Sequence, residues 1–336
     1  MFDKTAGSVT IPKGEKPRIL QLTDMQIIDA SQRRSPGRLC EKEIEKWDPS
    51  RVEENCYRHI LSVITQTDPH LILITGDITY GEFDDNGTIL KDFIRFMETL
   101  DIPWAPVWGN HDQESAIGNA AMCAEYEGAA HCLFRTETTD PADGTGNYAI
   151  RLEQAGKPIE MVYLLDSHGC KHAFDPEVRI PQSITENQMR MIEEKAARVQ
   201  AEVGKRVPGI AAFHIPTADL AEAYEALGYP FEAGTVIGVT VPAKKGDFGA
   251  ILEKDLKFAA RPERFAERLR QCGVNGVFAG HHHNINTSVY HNGIRWTMGL
   301  KCGTYDYHIN GALGGTLIEL ENGVPKVSHV PMLAGY

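Results

Sequence analysis

Short apolar runs alternate with longer amphipathic segments along the first third of the chain. The runs at 18–23, 71–75 and 103–108 are mostly apolar, which is typical of strands covered on both faces. The segments at 51–66 and 89–100 instead have the residue spacing of helices that bury one face. This order of strand, helix, strand, helix and strand predicts an α/β fold with parallel strands.

The rest of the chain continues the alternation and ends in segments with a β-like pattern. The predicted elements there are a helix at 113–127, paired strands at 147–152 and 159–166, a helix at 185–203, a strand at 209–213, a helix at 262–272, a strand at 276–279, and β segments at 285–291, 294–298, 316–320 and 325–330. Polar stretches at 29–49 and 228–255 fit neither pattern and are predicted to be loop insertions. With no internal repeat, the pattern predicts a single domain over residues 1–336.

Polar side chains directly follow the predicted strands. In chain order they are Asp24, Asp77, Asn110 with His111 and Asp112, His214, and His281 with His283. Because parallel strands end at one edge of a sheet, we expect these side chains to lie close together. The last two histidines also point to the same side if their segment is extended, since side chains alternate along a strand.

Each of these features has an ordinary structural interpretation on its own. The segment at 109–112 fits a polar turn that caps a following helix. A single His214 is more often a hydrogen-bonded structural residue, and three consecutive histidines fit an exposed run. Five strand ends that carry such groups in one ordered set favour a shared site instead. Carboxylate, amide and imidazole ligands together suit zinc, iron or manganese better than magnesium or calcium.

The composition narrows the possible functions. The chain has 34 basic and 46 acidic residues, a formal net charge of −12, which argues against broad binding to nucleic acids or anionic membranes. An acidic protein that handles phosphate needs local cations, and bound metal ions would supply them. No run reaches the ~18 apolar residues of a membrane span, and residues 1–4 lack the layout of a signal peptide. We therefore expect a cytoplasmic protein, or a secreted or periplasmic one whose leader was removed.

The motifs at these strand ends, taken in order, resemble those of a known superfamily. They are Asp-x-x, Gly-Asp-x-x-Tyr, Gly-Asn-His-Asp, x-x-His and Gly-His-x-His, and they extend from Leu20 to about Tyr307. This series resembles the calcineurin-like metallophosphoesterase superfamily, in the branch related to purple acid phosphatases that includes the plant type-29 and yeast Dcr2-like phosphatases. The resemblance implies a four-layer α/β/β/α sandwich of two mixed sheets flanked by helices.

The resemblance also implies a centre of two metal ions, iron with zinc, manganese or a second iron. Asp77 would bridge the ions, and a carboxylate shared in this way holds two ions about 3.5–4 Å apart. One site would be completed by Asn110, His214 and His281, and the other would include Asp24 and His283. His111 would lie beside the phosphate and assist the leaving group, with Asp112 as the partner that orients it.

Two positions leave the first metal site open to more than one interpretation. Gln26 stands where many members of the superfamily have a ligating histidine, and it would bind metal weakly or contact substrate instead. Tyr80 stands where purple acid phosphatases carry a tyrosinate ligand to iron, although an aromatic residue that packs beneath the turn fits equally well.

The resulting expectation is hydrolysis of a small phosphate ester by a metal-bound hydroxide, with monoesters favoured over diesters. A non-catalytic phosphate- or nucleotide-binding protein with a decayed first site is the alternative that Gln26 suggests. A regulatory protein phosphatase, whose protein partner is unknown, is a third possibility.

Overall fold

The computed structural model describes residues 1–32, 34, 52–137, 140–172, 175–238, 246–254 and 256–333. Its strands, in chain order, are β1 (Phe2–Asp3), β2 (Ser8–Thr10), β3 (Arg18–Leu22), β4 (Leu71–Thr75), β5 (Trp104–Val107), β6 (Tyr148–Gln154), β7 (Lys157–Leu164), β8 (Lys171–His172), β9 (Asp175–Arg179), β10 (Gly209–Ala212), β11 (Thr235–Ile237), β12 (Gly249–Ile251), β13 (Val274–Ala279), β14 (Ser288–His291), β15 (Ile294–Met298), β16 (Gly314–Glu321) and β17 (Val324–Pro331). The α-helices are α1 (Val52–Thr67), α2 (Thr88–Glu98), α3 (Asn119–Gly128), α4 (Glu186–Val203), α5 (Ala218–Leu227) and α6 (Phe265–Gln271).

The strands form two main sheets of mixed direction. The smaller sheet has the order β17-β16-β3-β4-β5. Strands β3, β4 and β5 are parallel, and β16 runs antiparallel to both of its neighbours, β3 and β17. The larger sheet has the order β1-β2-β6-β7-β10-β13-β15-β14, with β7, β10, β13 and β15 parallel at its centre. The apolar runs of the sequence therefore do form parallel strands, but they are divided between two sheets.

Successive side chains along β7 and the residue after it point to opposite faces of the larger sheet, which shows how the layers stack. Val162 and Leu164 belong to the apolar core shared with the smaller sheet. Met161, Tyr163 and Leu165 belong to a second core on the opposite face, under the helices. Helix α1 packs on the smaller sheet, whereas α4, α5 and α6 pack on β7, β14 and β13 of the larger one. This confirms the expected four-layer α/β/β/α arrangement.

Several elements differ from the prediction. Helix α5 was not predicted, although Thr217 precedes it and Gly228 ends it in the left-handed conformation that glycine favours. The helix predicted at 113–127 is two pieces, a 3-10 turn at Asp112–Glu114 and α3, separated at Gly118, whose φ of 79° is incompatible with a continuous helix. The short antiparallel pair β8 and β9, between β7 and α4, was not predicted.

The two predicted insertions are only partly described. Most of 29–49 lies outside the described residues. In the insertion at 228–255, the described parts form an antiparallel ribbon of β11 and β12. Within the described residues, no helix has the length and apolar character needed to cross a bilayer.

Helix α4, which covers the larger sheet, begins with a reciprocal cap. The Thr185 hydroxyl accepts a hydrogen bond from the Gln188 backbone N–H at 3.2 Å, and the Gln188 side chain accepts one from the Thr185 N–H at 2.6 Å. Such a cap satisfies two donors that the first turn of a helix otherwise leaves without a partner.

We predict that Thr185→Ala lowers the free energy of unfolding by about 1 kcal/mol, because the replaced oxygen leaves a helix donor unpaired. Chemical denaturation monitored by circular dichroism measures the change. Thr185→Ser keeps the hydroxyl and is expected to stay near the wild type. Equal losses in the two variants would show that the cap is not what stabilises this end of α4.

Candidate metal centre

Hydrogen bonds connect the loops that follow the parallel strands of each sheet. These strands are β3, β4 and β5 in the smaller sheet and β10 and β13 in the larger one. The Asp24 N–H donates to the carbonyl of Gly76 at 3.1 Å, which joins the loops after β3 and β4. The Gly280 N–H donates to the carbonyl of His214 at 2.9 Å, which joins the loops after β13 and β10. Backbone strain accompanies these links, because Asp24, Asp77 and His281 have φ of 53°, 52° and 77°. Such strain often marks functional sites.

A compact group of buried ligand atoms lies where the two sheets meet. One ligand atom from each of Asp24, Asp77 and His214 lies within 4.8 Å of the others, and all three residues are buried. Nδ1 of His214 donates to the Thr75 carbonyl at 2.8 Å. Its Nε2 therefore faces the Asp77 carboxylate at 3.3 Å and Oδ1 of Asn110 at 3.2 Å. A backbone bond to one ring nitrogen, with the other aimed at carboxylates, is how proteins orient a ligating histidine.

The charges of this group balance one another. Burial lowers the pKa of His214, but the Asp77 carboxylate opposes it and the pKa rises to about 9. Burial raises the pKa of Asp77, yet the charges of His214 and His111 bring it below its usual range. For Asp24, the hydrogen bond and charge of His283 likewise outweigh burial and lower the pKa. A metal ion placed here would displace the imidazole proton and take over its role as counter-charge.

Of the three histidines after β13, His281 and His283 face the cluster and His282 does not, although the segment is not the extended strand that the prediction assumed, because His281 has a φ of 77°. Nε2 of His283 lies 3.2 Å from Oδ1 of Asp24. The His281 ring lies 5.1 Å from the His214 ring, centroid to centroid. His282 turns away, with Nε2 donating to the Lys257 carbonyl at 2.9 Å. The structure thus brings together Asp24, Asp77, Asn110, His214, His281 and His283. Gln26 also lies beside this group, with its amide nitrogen 3.5 Å from Oδ2 of Asp77.

His111 is oriented by Glu114, which the sequence analysis missed. Nδ1 of His111 donates to Oε2 of Glu114 at 2.9 Å, and its ring packs on Tyr80 with centroids 4.0 Å apart. Its backbone N–H donates to Oδ1 of Asp77 at 2.9 Å. The signal for Glu114 was its i+3 spacing from His111, which a single helical turn brings into contact.

Asp112 does not orient His111, and that prediction is corrected. One of its oxygens accepts from the backbone N–H groups of Asp77 and Gly109 at 2.9 and 2.8 Å, and the other accepts from that of Thr79 at 2.9 Å. Burial, together with the charge of Asp77, raises the pKa of Asp112 to about 7. Asp112 therefore ties the loop after β4 to the loop after β5, because its carboxylate faces backbone donors and not the imidazole.

Gln26 is held by a buried lysine. Nζ of Lys301 donates to Oε1 of Gln26 and to the Asp24 carbonyl, both at 2.7 Å. Burial lowers the pKa of Lys301, while the charge of Asp24 opposes that effect. Oε1 is the amide atom that a metal would need, and here it already accepts one hydrogen bond from Lys301. The ligand role of Gln26 stays a prediction.

Tyr80 contacts a carboxylate that the sequence analysis also missed. Its hydroxyl donates to Oδ2 of Asp306 at 3.2 Å, and the same oxygen lies 3.8 Å from Nδ1 of His283. Asp306 therefore borders the first site, between the tyrosine and a predicted ligand. No strand-end pattern marks either Lys301 or Asp306 in the sequence. The ligand role of Tyr80 stays a prediction.

Residues 17–284 match the calcineurin-like phosphoesterase family, and the chain belongs to that family. This is the superfamily that the strand-end motifs resemble, which confirms the family resemblance. Oxygen and imidazole donors gathered in a buried cluster fit the metal ions that its members use.

Individual proteins similar to this chain include the phosphatase Dcr2 of Saccharomyces cerevisiae, 26% identical over 67% of this chain and 38% of the relative. The Arabidopsis thaliana protein named probable inactive purple acid phosphatase 29 is 22% identical over 88% of this chain and 74% of the relative. Among solved structures, a dimetal phosphatase from Danio rerio matches 94% of this chain and 100% of its own, with a TM-score of 0.50 and 11% identity. The chain thus spans about 38% of the length of Dcr2.

The close approach of Gly109 to Asp77 leaves no room for a side chain. A Cβ at Gly109 would lie 2.1 Å from both the backbone nitrogen and Oδ1 of Asp77. Any larger residue therefore has to push the central carboxylate out of place.

We predict that Gly109→Ala abolishes metal retention and lowers the melting temperature, since the added methyl group overlaps Asp77. Metal content after gel filtration and thermal denaturation are the two measurements. Gly128→Ala, at the end of α3, is the matched control, because a Cβ there meets nothing within 4 Å. Normal metal content in Gly109→Ala would contradict the packing argument.

Proposed function

We propose that this protein hydrolyses phosphate esters with the help of two metal ions, and that it prefers monoesters. The observation that carries the proposal is the buried cluster of Asp24, Asp77 and His214, whose ligand atoms lie within 4.8 Å of one another. Two buried carboxylates this close together repel each other, and a bound cation would offset that repulsion. A bound cation is therefore the best explanation for this buried cluster, which lies where the two sheets meet.

The two ions would be held by overlapping sets of residues. Asp77 is common to both sets, one set adds Asn110, His214 and His281, and the other adds Asp24 and His283, with Tyr80 as a further candidate. When bound, iron with zinc, manganese or a second iron would supply Lewis-acid polarisation of the phosphoryl group and acidification of a water molecule.

His111 is the residue we propose to act on the substrate. Its Nδ1 donates a hydrogen bond to Glu114, and its backbone N–H donates one to Asp77. The ring is also packed against Tyr80, so its position is defined from three sides. A proton for the leaving oxygen would come from Nε2, while the Glu114 carboxylate stabilises the charged imidazole.

The preference for monoesters is supported by the names of the relatives. Dcr2 is named a phosphatase, and the Arabidopsis relative is named for purple acid phosphatases. A non-catalytic phosphate- or nucleotide-binding protein is the second candidate. It is favoured by the bond between Gln26 and Lys301 and by the word inactive in the name of that Arabidopsis relative.

The decisive experiment combines metal analysis with an ester panel. We expect up to two ions per chain and faster release of nitrophenol from p-nitrophenyl phosphate than from bis(p-nitrophenyl) phosphate, measured across pH with zinc, manganese and iron. A visible absorption band in the oxidised iron form would support Tyr80 as a ligand. Metal-loaded protein that binds phosphate but cleaves neither ester would instead establish the non-catalytic candidate.

His111→Ala is predicted to lower kcat by about 10²–10⁴-fold, the usual contribution of a general acid, with little change in metal content. Turnover of p-nitrophenyl phosphate and elemental analysis of the same sample check both parts. His131→Ala is the control, since His131 contacts Glu98 and Asp101 and none of the site residues. Unchanged turnover in His111→Ala would remove this histidine from the reaction.

A further inference from the structure

Tyr307 places an exposed aromatic ring at the border of the first predicted metal site. The centroid of its ring lies 4.5 Å from that of the His283 ring, with the two planes 34° apart. Nε2 of this histidine lies 3.2 Å from Oδ1 of Asp24, on the side where the first ion would bind. Only the imidazole of His283 therefore separates the tyrosine ring from the position proposed for that ion.

Hydrogen bonds hold Tyr307 at both ends. Its backbone N–H donates to Oδ1 of Asp306 at 2.8 Å, and its hydroxyl donates to Oε1 of Glu253 at 3.3 Å. The Glu253 carboxylate is itself held, because Oε1 lies 3.3 Å from Nδ1 of His282 and Oε2 accepts from the Asn284 N–H at 3.4 Å. The position of the ring is thus set by the loop after β13 and by its own backbone.

Tyr307 differs from the other aromatic residues in its exposure. Among the Phe, Tyr and Trp residues that the structure describes, it is the most exposed, at 41%. His283 packs on one face of the ring, and Glu253 binds the hydroxyl. We therefore assign the exposed area to the opposite face, which is open to a ligand that enters the site.

The residue proposed as proton donor lies along the same border. The Tyr80 ring packs on His111 with centroids 4.0 Å apart, and the Tyr80 hydroxyl donates to Oδ2 of Asp306 at 3.2 Å. Contacts thus run from His111 through Tyr80 and Asp306 to Tyr307. A leaving group that takes its proton from His111 has the open face of Tyr307 further along the same side of the site.

We propose that Tyr307 binds the leaving group by stacking, and that the substrate is a phosphate ester whose alcohol carries an aromatic ring. Paired aromatic rings gain affinity beyond the burial of their area, whereas an alkyl group on the same face gains burial alone. The inference rests on the proposed function, because it takes the phosphate to bind at the metal centre. It adds the chemical class of the leaving group.

The test compares two ligands of similar size, only one of which is aromatic. Benzylphosphonate and cyclohexylmethylphosphonate both hold a six-membered ring one carbon from phosphorus, and neither contains an ester to cleave. Their binding to the zinc-loaded full chain is measured by calorimetry. We expect benzylphosphonate to bind ~3–10-fold more tightly to the wild type and the ratio to fall to about one in Tyr307→Ala.

Control variants separate stacking from support of the metal ligand. Tyr307→Phe keeps the ring and loses the bond to Glu253, so it is expected to keep the preference. Tyr290→Ala is the matched control, because Tyr290 packs under Arg295 near the start of β15, at the end of the sheet opposite the metal centre. If Tyr307 merely supports His283, Tyr307→Ala will instead lose zinc and weaken both phosphonates equally.

Hydrolysis then distinguishes the two sources of an aromatic ring. Phenyl phosphate carries an aryl group, and adenosine 5′-monophosphate carries a base beyond a ribose. Tyr307→Ala is expected to raise KM by ~3–10-fold for the ester whose ring reaches Tyr307, with metal content unchanged. The KM of glycerol 2-phosphate, which has no ring, is expected to stay near that of the wild type.

The outcomes separate this inference from the proposed function. Equal affinities of the two phosphonates in the wild type, or a preference that persists in Tyr307→Ala, would overturn the inference even if the protein hydrolyses esters. If that variant does not fold, Tyr307→Leu removes the aromatic face and keeps an apolar side chain in its place. A preference for benzylphosphonate that depends on Tyr307, in a protein that cleaves no ester, would uphold the stacking and refute hydrolysis.

Discussion

The Asp112 carboxylate is the interaction on which the rest of the site depends. It accepts three backbone N–H groups, from Asp77, Thr79 and Gly109. These three bonds are buried, where a hydrogen bond is electrostatically stronger than in water. They hold the loop after β4 against the loop after β5, at the point where a Cβ on Gly109 would collide with Asp77. The backbone around Asp77 therefore fixes the position of the Asp77 carboxylate, and rotation of its own side chain does not.

A second constraint joins the two sheets. Nδ1 of His214, after a strand of the larger sheet, donates to the Thr75 carbonyl at the end of β4 in the smaller one. The Gln21 amide makes a similar link, donating to the Ala279 carbonyl at 3.0 Å. The ligands therefore come from both sheets and meet only while the sheets stay packed. The apolar core between the sheets is extensive. The hydrophobic packing that stabilises the fold therefore also keeps the site rigid.

Much of this arrangement is predictable from the sequence, for a physical reason. Apolar runs specify strands, parallel strands share an edge, and residues such as Asp24 and Asp77 at their ends must then converge. Division into two sheets is not predictable from periodicity, because a buried strand has the same apolar pattern in either sheet. Lys301 and Asp306 were missed since their roles arise from contacts between loops, which carry no periodic pattern. Glu114 was missed although its i+3 spacing from His111 was a local signal. For Asp112, residue type alone could not distinguish an acceptor of backbone N–H groups from a partner of His111.

The groups around His111 bear on the choice between hydrolysis and simple binding. Binding a phosphate requires positive charge and hydrogen-bond donors, which metal ions, imidazoles and backbone N–H groups provide. It does not require a carboxylate behind an imidazole, because a second negative charge near a phosphate weakens its binding. Glu114 stands 2.9 Å from Nδ1 of His111 and is buried. That placement weakens attraction for an anion while stabilising a protonated ring, which is useful to a proton donor. The His111–Glu114 pair therefore favours hydrolysis over simple binding of phosphate.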